Sequence, residues 1–185
     1  MSDHQKFADF YIDSTEVTVA QYRKFIAAVR NTPPKQTQYC SWNNSLIHND
    51  SSALLEDPQM PIGGVDRCDA TSYCEWADKH LCGNIDRRAK RVEKQFFDPP
   101  VNQWFLACGG PTGAMHPSIS GCSPGINTVA SSACEGSYPG VFDLEGKSFA
   151  LGRAAEQQSI CLSVTGGYAR GSSSFRWIGF RCCSG

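Results

Sequence analysis

A chain of 185 residues with 41% apolar and 11% aromatic side chains, and no low-complexity tract, has the means to bury a core, which excludes intrinsic disorder. The formal net charge is −1, and the only basic cluster, Arg87-Arg88-Ala89-Lys90-Arg91, is too small for the broad basic face of a nucleic-acid binder and reads as a solvated loop or helix face. No run approaches the ~18 apolar residues of a membrane span, and Met1–Lys6 is polar rather than signal-like.

Along the chain, Phe10-Tyr11-Ile12-Asp13 is a short strand-like run. Thr18 then stands where an N-cap belongs, ahead of Val19–Val29, in which Val19, Tyr22, Phe25, Ile26 and Val29 recur at three and four and form one apolar helical face. Pro33-Pro34 ends that helix. Residues 31–64 are irregular, with Pro58 and Pro61 and many Asn and Ser. Asp66 or Asp69 can cap a second helix running to about Lys79, whose face uses Ala70, Tyr73, Cys74 and Ala77. A charged insertion occupies 83–100, and Val101–Cys108 reads as a short third helix. From Gly109 onward Gly, Ser and Pro dominate, and the brief apolar runs Val141–Leu144 and Trp177–Phe180 suit short strands. With no internal repeat and no linker, residues 1–185 are read as one domain.

Ten cysteines, at Cys40, Cys68, Cys74, Cys82, Cys108, Cys122, Cys134, Cys161, Cys182 and Cys183, are an even and high number. No paired C-x-x-C knuckles exist, so disulfides are the favoured reading over a thiolate metal site, with buried free thiols a further alternative. The adjacent Cys182 and Cys183 form a vicinal pair of the kind that bonds outward to two different partners, but the connectivity stays open. The cysteine content favours a secreted or periplasmic protein whose signal peptide has been removed, against a cytoplasmic one. Asn43-Asn44-Ser45 and Asn49-Asp50-Ser51 match glycosylation sequons, a signal of low specificity.

Four ordered blocks resemble the formylglycine-generating enzyme (sulfatase-modifying factor) family. F-Y-I-D-S-T-E-V-T-V-A-Q-Y-R-K-F at 10–25 is similar to its opening strand and first helix, and P-I-G-G-V-D-R-C-D-A-T-S-Y-C-E-W-A-D-K-H-L at 61–81 to its second helix. N-Q-W-F-L-A-C-G-G at 102–110 stands where the family has E-W-E-Y-A-A-R-G-G, and G-V-F-D-L-E-G at 140–146, then G-G-Y and I-G-F-R-C, follow its closing order. The resemblance implies an α+β, loop-rich C-type lectin-like fold, with two main helices around short antiparallel strands. That scaffold hosts copper-dependent formylglycine formation, iron-dependent sulfoxide synthesis, the variable proteins of diversity-generating retroelements and many proteins without known chemistry, so fold alone does not choose.

The family's copper is held by two cysteines between its R-G-G-S motif and its terminal G-F-R, a thiolate pair suited to Cu(I). Here the motif is Thr165-Gly166-Gly167-Tyr168, and 169–178 contains no cysteine; Cys161 precedes the motif and Cys182 and Cys183 follow it. The resemblance therefore implies no copper site at the family's position. Its structural calcium motif, D-M-x-G-N-V-W-E-W, corresponds to 143–151, where Asp143, Gly146 and Ser148 remain as a depleted site and Ala150 replaces the acidic ligand. Calcium is the one cofactor left open. His4, His48, His80 and His116 lack H-x-x-x-H or His-x-x-Glu spacing and read as surface residues, which leaves an iron site without support. Ser172, Ser173 and Ser174 lie in no G-x-S-x-G elbow, and Cys108 or Cys161 would act as nucleophile only in a setting that lowers the thiol pKa.

What remains rich is the C-terminal loop region. Tyr168, Arg170, Ser172, Ser173, Ser174, Phe175, Arg176 and Trp177 combine aromatic and Arg anchors with adaptable Ser contacts. These residues read as the recognition surface of a non-catalytic module for a protein, small-molecule or glycan ligand, against the bland reading of Phe175 and Trp177 as core and the Ser run as a turn. The alternatives are an active copper-dependent oxidase with a displaced thiolate pair, a retroelement variable protein, and a structural subunit of an assembly.

Overall fold

In a computed structural model the described residues are 4–6 (as backbone), 10–30, 38–46, 54–83, 103, 106–107, 140–142 and 179–185. Four short strands form one antiparallel sheet: β1 (His4–Lys6), β2 (Tyr11–Asp13), β3 (His80–Leu81) and β4 (Cys182–Ser184), in the order β1-β2-β4-β3. The C-terminal strand thus lies inside the sheet, with Ile12 opposite Cys183 on one side and His80 opposite Cys183 on the other. Successive side chains of a strand point to opposite faces. Cys182 accordingly bonds Cys74 on one face, while Cys183 bonds Cys82 on the other. A third disulfide joins Cys40 to Cys68. The vicinal pair does bond outward to two partners.

The first helix, α1 (Val19–Val29), starts as its sequence dictates. The Thr18 hydroxyl accepts from the Gln21 N–H at 3.2 Å, and the Thr18 N–H donates to Gln21 Oε1 at 2.8 Å, a reciprocal capping box. Two further orphan donors find carbonyls in the following loop, Val19 N–H on Met60 O and Ala20 N–H on Pro58 O. This gives the irregular stretch before Gly64 a structural duty: its carbonyls complete the N-terminus of α1. Arg30, at φ 53°, turns the chain out of the helix ahead of the prolines.

The second helix, α2 (Arg67–Trp76), is capped by Asp66, whose carboxylate accepts from the Asp69 N–H at 2.9 Å. It ends at Trp76, three residues short of the expected Lys79. Ala77 is its C-cap, and Asp78, at φ 59°, reverses the chain so that β3 can begin at His80. Lys79, expected inside the helix, instead pairs with Asp13 of β2 at 2.6 Å. The strand expected at Trp177–Phe180 is displaced: Gly179 and Phe180 belong to no strand, and the paired strand is Cys182–Ser184. In the expected third helix, Gln103, Leu106 and Ala107 have helical backbone. Past Gly83 the charged insertion lies outside the described residues.

Helices and sheet meet in an aromatic core. Tyr22 and Phe25 of α1, Tyr73 of α2 and Phe180 before β4 lie with ring centroids 5.5–6.3 Å apart, mostly edge to face. Val19, Leu46, Ile62 and Cys74 fill in around them, with Ile26 and Val29 partly buried at the edge. The apolar face read from the spacing of α1 is the one that packs inward.

Phe25 is 0% exposed. Phe25→Ala is expected to cost roughly 3–5 kcal/mol in urea unfolding, from lost transfer energy and a cavity. Thr18→Ala, which removes only the cap, should cost about 1 kcal/mol.

Candidate functional site

The recognition candidates Tyr168, Arg170, Ser172, Ser173, Ser174, Phe175, Arg176 and Trp177, and the calcium candidates Asp143, Gly146 and Ser148, lie outside the described residues. Their two points of attachment are described, and these converge. The chain departs after Phe142, whose N–H donates to Ser14 O at 2.8 Å. It returns at Gly179 and Phe180, and Phe180 O accepts from the Val17 N–H at 2.9 Å. Both attachments therefore sit on the connection between β2 and α1.

Arg181 fastens them. Its side chain is 1% exposed, and its guanidinium donates through Nη1 to Asp13 O at 2.9 Å and through Nη2 to Phe142 O. A fixed planar fork of donors suits this task, because it can serve two carbonyls on different segments at once. Gly179 lies against Glu16 at the same place: a Cβ there would fall 2.3 Å from Glu16 Oε1, the far end of a flexible side chain, and would push that carboxylate aside. Of the sequence I-G-F-R-C, Gly and Arg anchor the root of residues 143–178, Phe joins the core and Cys joins the sheet.

A second polar centre was read from sequence only as a helix cap. Asp66 and Asp69 are both 0% exposed. Asp69 Oδ1 accepts from Asn43 Nδ2 at 2.6 Å, while its Oδ2 has no hydrogen-bond partner. Burial, and then the neighbouring Asp66 carboxylate, raise the Asp69 pKa to about 7, against the lowering effect of its hydrogen bonds to Asn43 and at the helix cap. Burial and the same two acids push the Tyr22 phenol well above its usual range, and its hydroxyl donates to Leu46 O at 2.9 Å. The signal was present as two acids three apart opening an apolar helix, but an exposed first turn would look identical. The Asn43 amide, first noted as a sequon, is engaged on this buried carboxylate.

A third polar position corrects the sequence reading of His80 as a surface residue. It is partly buried, with Nε2 3.2 Å from Gln103 Oε1. Tyr73 is also shifted, up to about 12, by burial and then by Asp13. Among the described residues, no three His, Cys, Asp or Glu side chains form a cluster that could hold a metal ion.

Two outcomes are expected. Arg181→Met leaves the Asp13 and Phe142 carbonyls without their donor and should cost roughly 2–4 kcal/mol, with faster hydrogen exchange at the Phe142 amide. The raised Asp69 pKa gives a pH dependence of fixed sign. Its folded value of about 7 lies above the ordinary 3.8, so the folded state holds the proton more tightly. This contribution is fully present below pH 4 and is lost as pH rises towards 7. Asp69→Asn, which keeps an oxygen for Asn43, should flatten the fall in unfolding free energy measured across that interval.

Comparison with known proteins agrees with the first three of the four sequence blocks, at 10–25, 61–81 and 102–110. No curated protein matches the chain. The family described as "Sulfatase-modifying factor enzyme 1-like domain" matches residues 2–131, more than half of the 185. The match includes β1 to β3, both helices and the aromatic residues that α1 and α2 bring to the core, and it stops before the root of residues 143–178. The chain therefore belongs to the sulfatase-modifying factor enzyme 1-like (FGE-sulfatase) family.

Proposed function

We propose that this protein is a non-catalytic binding module built on the formylglycine-generating-enzyme scaffold, its single domain adopting the family's C-type lectin-like arrangement. Recognition is assigned to residues 168–177, with Tyr168, Arg170, Phe175, Arg176 and Trp177 as anchors and Ser172, Ser173 and Ser174 as adaptable contacts for a protein, small-molecule or glycan ligand. The observation that carries the reading is the fate of Cys182 and Cys183. These are the two cysteines nearest the family's copper position on its C-terminal side, and both are bound in disulfides, to Cys74 and Cys82.

A Cu(I) site needs free thiolates. A disulfide sulfur is not one, and residues 169–178 supply no other cysteine. The donors present do not fit copper at the family's position, and no reaction step is assigned to it. The binding reading is further supported by the root of the segment, where buried Arg181 ties departure and return to one place. That anchoring lets a recognition segment vary without disturbing the core. Three disulfides, and no described helix long and apolar enough to cross a membrane, suit a secreted or periplasmic setting.

The test is a Cu(I) titration of the purified protein, paired with turnover of a cysteine-containing sulfatase peptide. No stoichiometric copper binding and no formylglycine product are expected. One equivalent of bound copper with aldehyde formation would establish the oxidase reading, with Cys108, Cys122, Cys134 and Cys161 as the cysteines left to supply it. In a glycan and peptide array, Arg176→Ala and Trp177→Ala should each abolish whatever binding the unaltered protein shows, at a cost of about 2 kcal/mol or more for a true anchor.

A further inference from the structure

The three described disulfides are not equally protected. Cys74 and Cys182 are 0% exposed, Cys68 and Cys183 1%, and Cys40 7%. Cys82 alone among the six is only partly buried. In the Cys82–Cys183 bond one residue is therefore partly exposed while its partner is enclosed. Exchange needs in-line access to one sulfur and a leaving thiolate on the other, so attack is directed at Cys82 and Cys183 becomes the leaving group.

A titratable side chain stands beside this bond. His80 is the direct cross-strand partner of Cys183, and directly opposed residues of an antiparallel pair project from the same face. Cys82, two residues beyond His80, approaches Cys183 from the same side. Gln103, itself 2% exposed, orients the imidazole. Its Oε1 also accepts from the Gly83 N–H at 3.0 Å, so it faces His80 Nε2 as an acceptor and the proton resides on Nε2. Cys182, by contrast, has Leu81 as its cross-strand partner on this side.

We propose that Cys82–Cys183 is a thiol–disulfide exchange site for small thiols, with His80 as its proton carrier. An incoming thiol loses its proton to His80, and the resulting thiolate attacks Cys82 Sγ. An S–S bond forms between the thiol and Cys82 as the Cys82–Cys183 bond breaks. The electron pair goes to Cys183 Sγ, which takes the proton from His80. A second thiol then attacks the mixed disulfide, releasing the oxidised thiol as a disulfide and leaving Cys82 as a thiol. Two thiols are oxidised and one protein disulfide is reduced. Opening this bond frees the end of β3 at the point where Gly83 O accepts from the Gln103 N–H at 2.8 Å, while Cys74–Cys182 continues to hold β4 on α2.

The experiment is graded reduction of the full chain with reduced glutathione, quenched with an alkylating reagent and read by peptide mass spectrometry alongside far-ultraviolet circular dichroism. Paired alkylation of Cys82 and Cys183 is expected at glutathione concentrations about tenfold below those that open Cys40–Cys68 or Cys74–Cys182, with the dichroism unchanged. Opening of Cys40–Cys68 first, or of all three bonds together with loss of the dichroism, would overturn the proposal. His80→Gln should slow the first step by about tenfold while leaving the equilibrium glutathione ratio unchanged, since a proton carrier alters the rate and not the end states. An unaltered rate in that variant, or a rate and equilibrium that shift together, overturns the role given to His80.

Discussion

The fold depends on the capture of one strand of three residues. β4 comes from the end of the chain and lies between β2, from its beginning, and β3, from its middle. Strands of two and three residues make too few ladder bonds to hold a sheet by themselves. The two disulfides that flank β4 close sequence separations of 108 and 101 residues. On the chain-entropy account, one such closure removes about 4.7 kcal/mol of freedom from the unfolded chain, and the second, closing nearly the same loop, adds less. The alternation of side chains along a strand is what allows two neighbouring cysteines to do this. A helical Cys-Cys pair would present both sulfurs within one turn, and neither could reach an opposite face.

Once β4 is placed, the neighbouring interactions follow from it. Phe180 enters the aromatic core on the Cys182 side, and Arg181 comes to lie over the β2–α1 connection, where it meets Asp13 O and Phe142 O. The Val17 backbone binds Phe180 on one side and Ile62 on the other, which draws the loop before α2 against the start of α1. Residues far apart in sequence thus meet around five positions, Gly179 to Cys183, that carry a contact with the Glu16 side chain, a core ring, a buried guanidinium and two disulfides.

Much of the scaffold was legible because it is local. Thr18 with Gln21 three positions later defines a helix start, and the three-and-four spacing of Val19, Tyr22, Phe25, Ile26 and Val29 defines the buried face. Asp66 was a readable cap for the same reason. The end of α2 was not, because nothing in Ala77-Asp78-Lys79 forbids another helical turn. Asp78 adopts a left-handed conformation because β3 and the Lys79–Asp13 ion pair require the chain to reverse. The closing strand was misplaced by a few residues because Trp177–Phe180 is the more apolar run, whereas pairing is decided by the cysteines that follow it. The disulfide partners, the burial of Asp69 and the clamp made by Arg181 are long-range facts, and a single sequence carries no trace of such distances.

The same contrast bears on chemistry. A fold is maintained by caps, core rings and staples; in this chain both helix caps and the rings of α1 and α2 lie within the family match at residues 2–131, and the last strand follows it. Catalysis on the same scaffold depends on a few donors held in one geometry, and those can be lost without cost to the fold. Cysteine shows how. A thiol used for metal binding must stay reduced and reachable, whereas one used as a staple must be oxidised and buried, and the two states exclude each other at one sulfur. At Cys182 and Cys183 the use is structural, and the partly exposed Cys82 is the point at which we propose that one of these bonds opens.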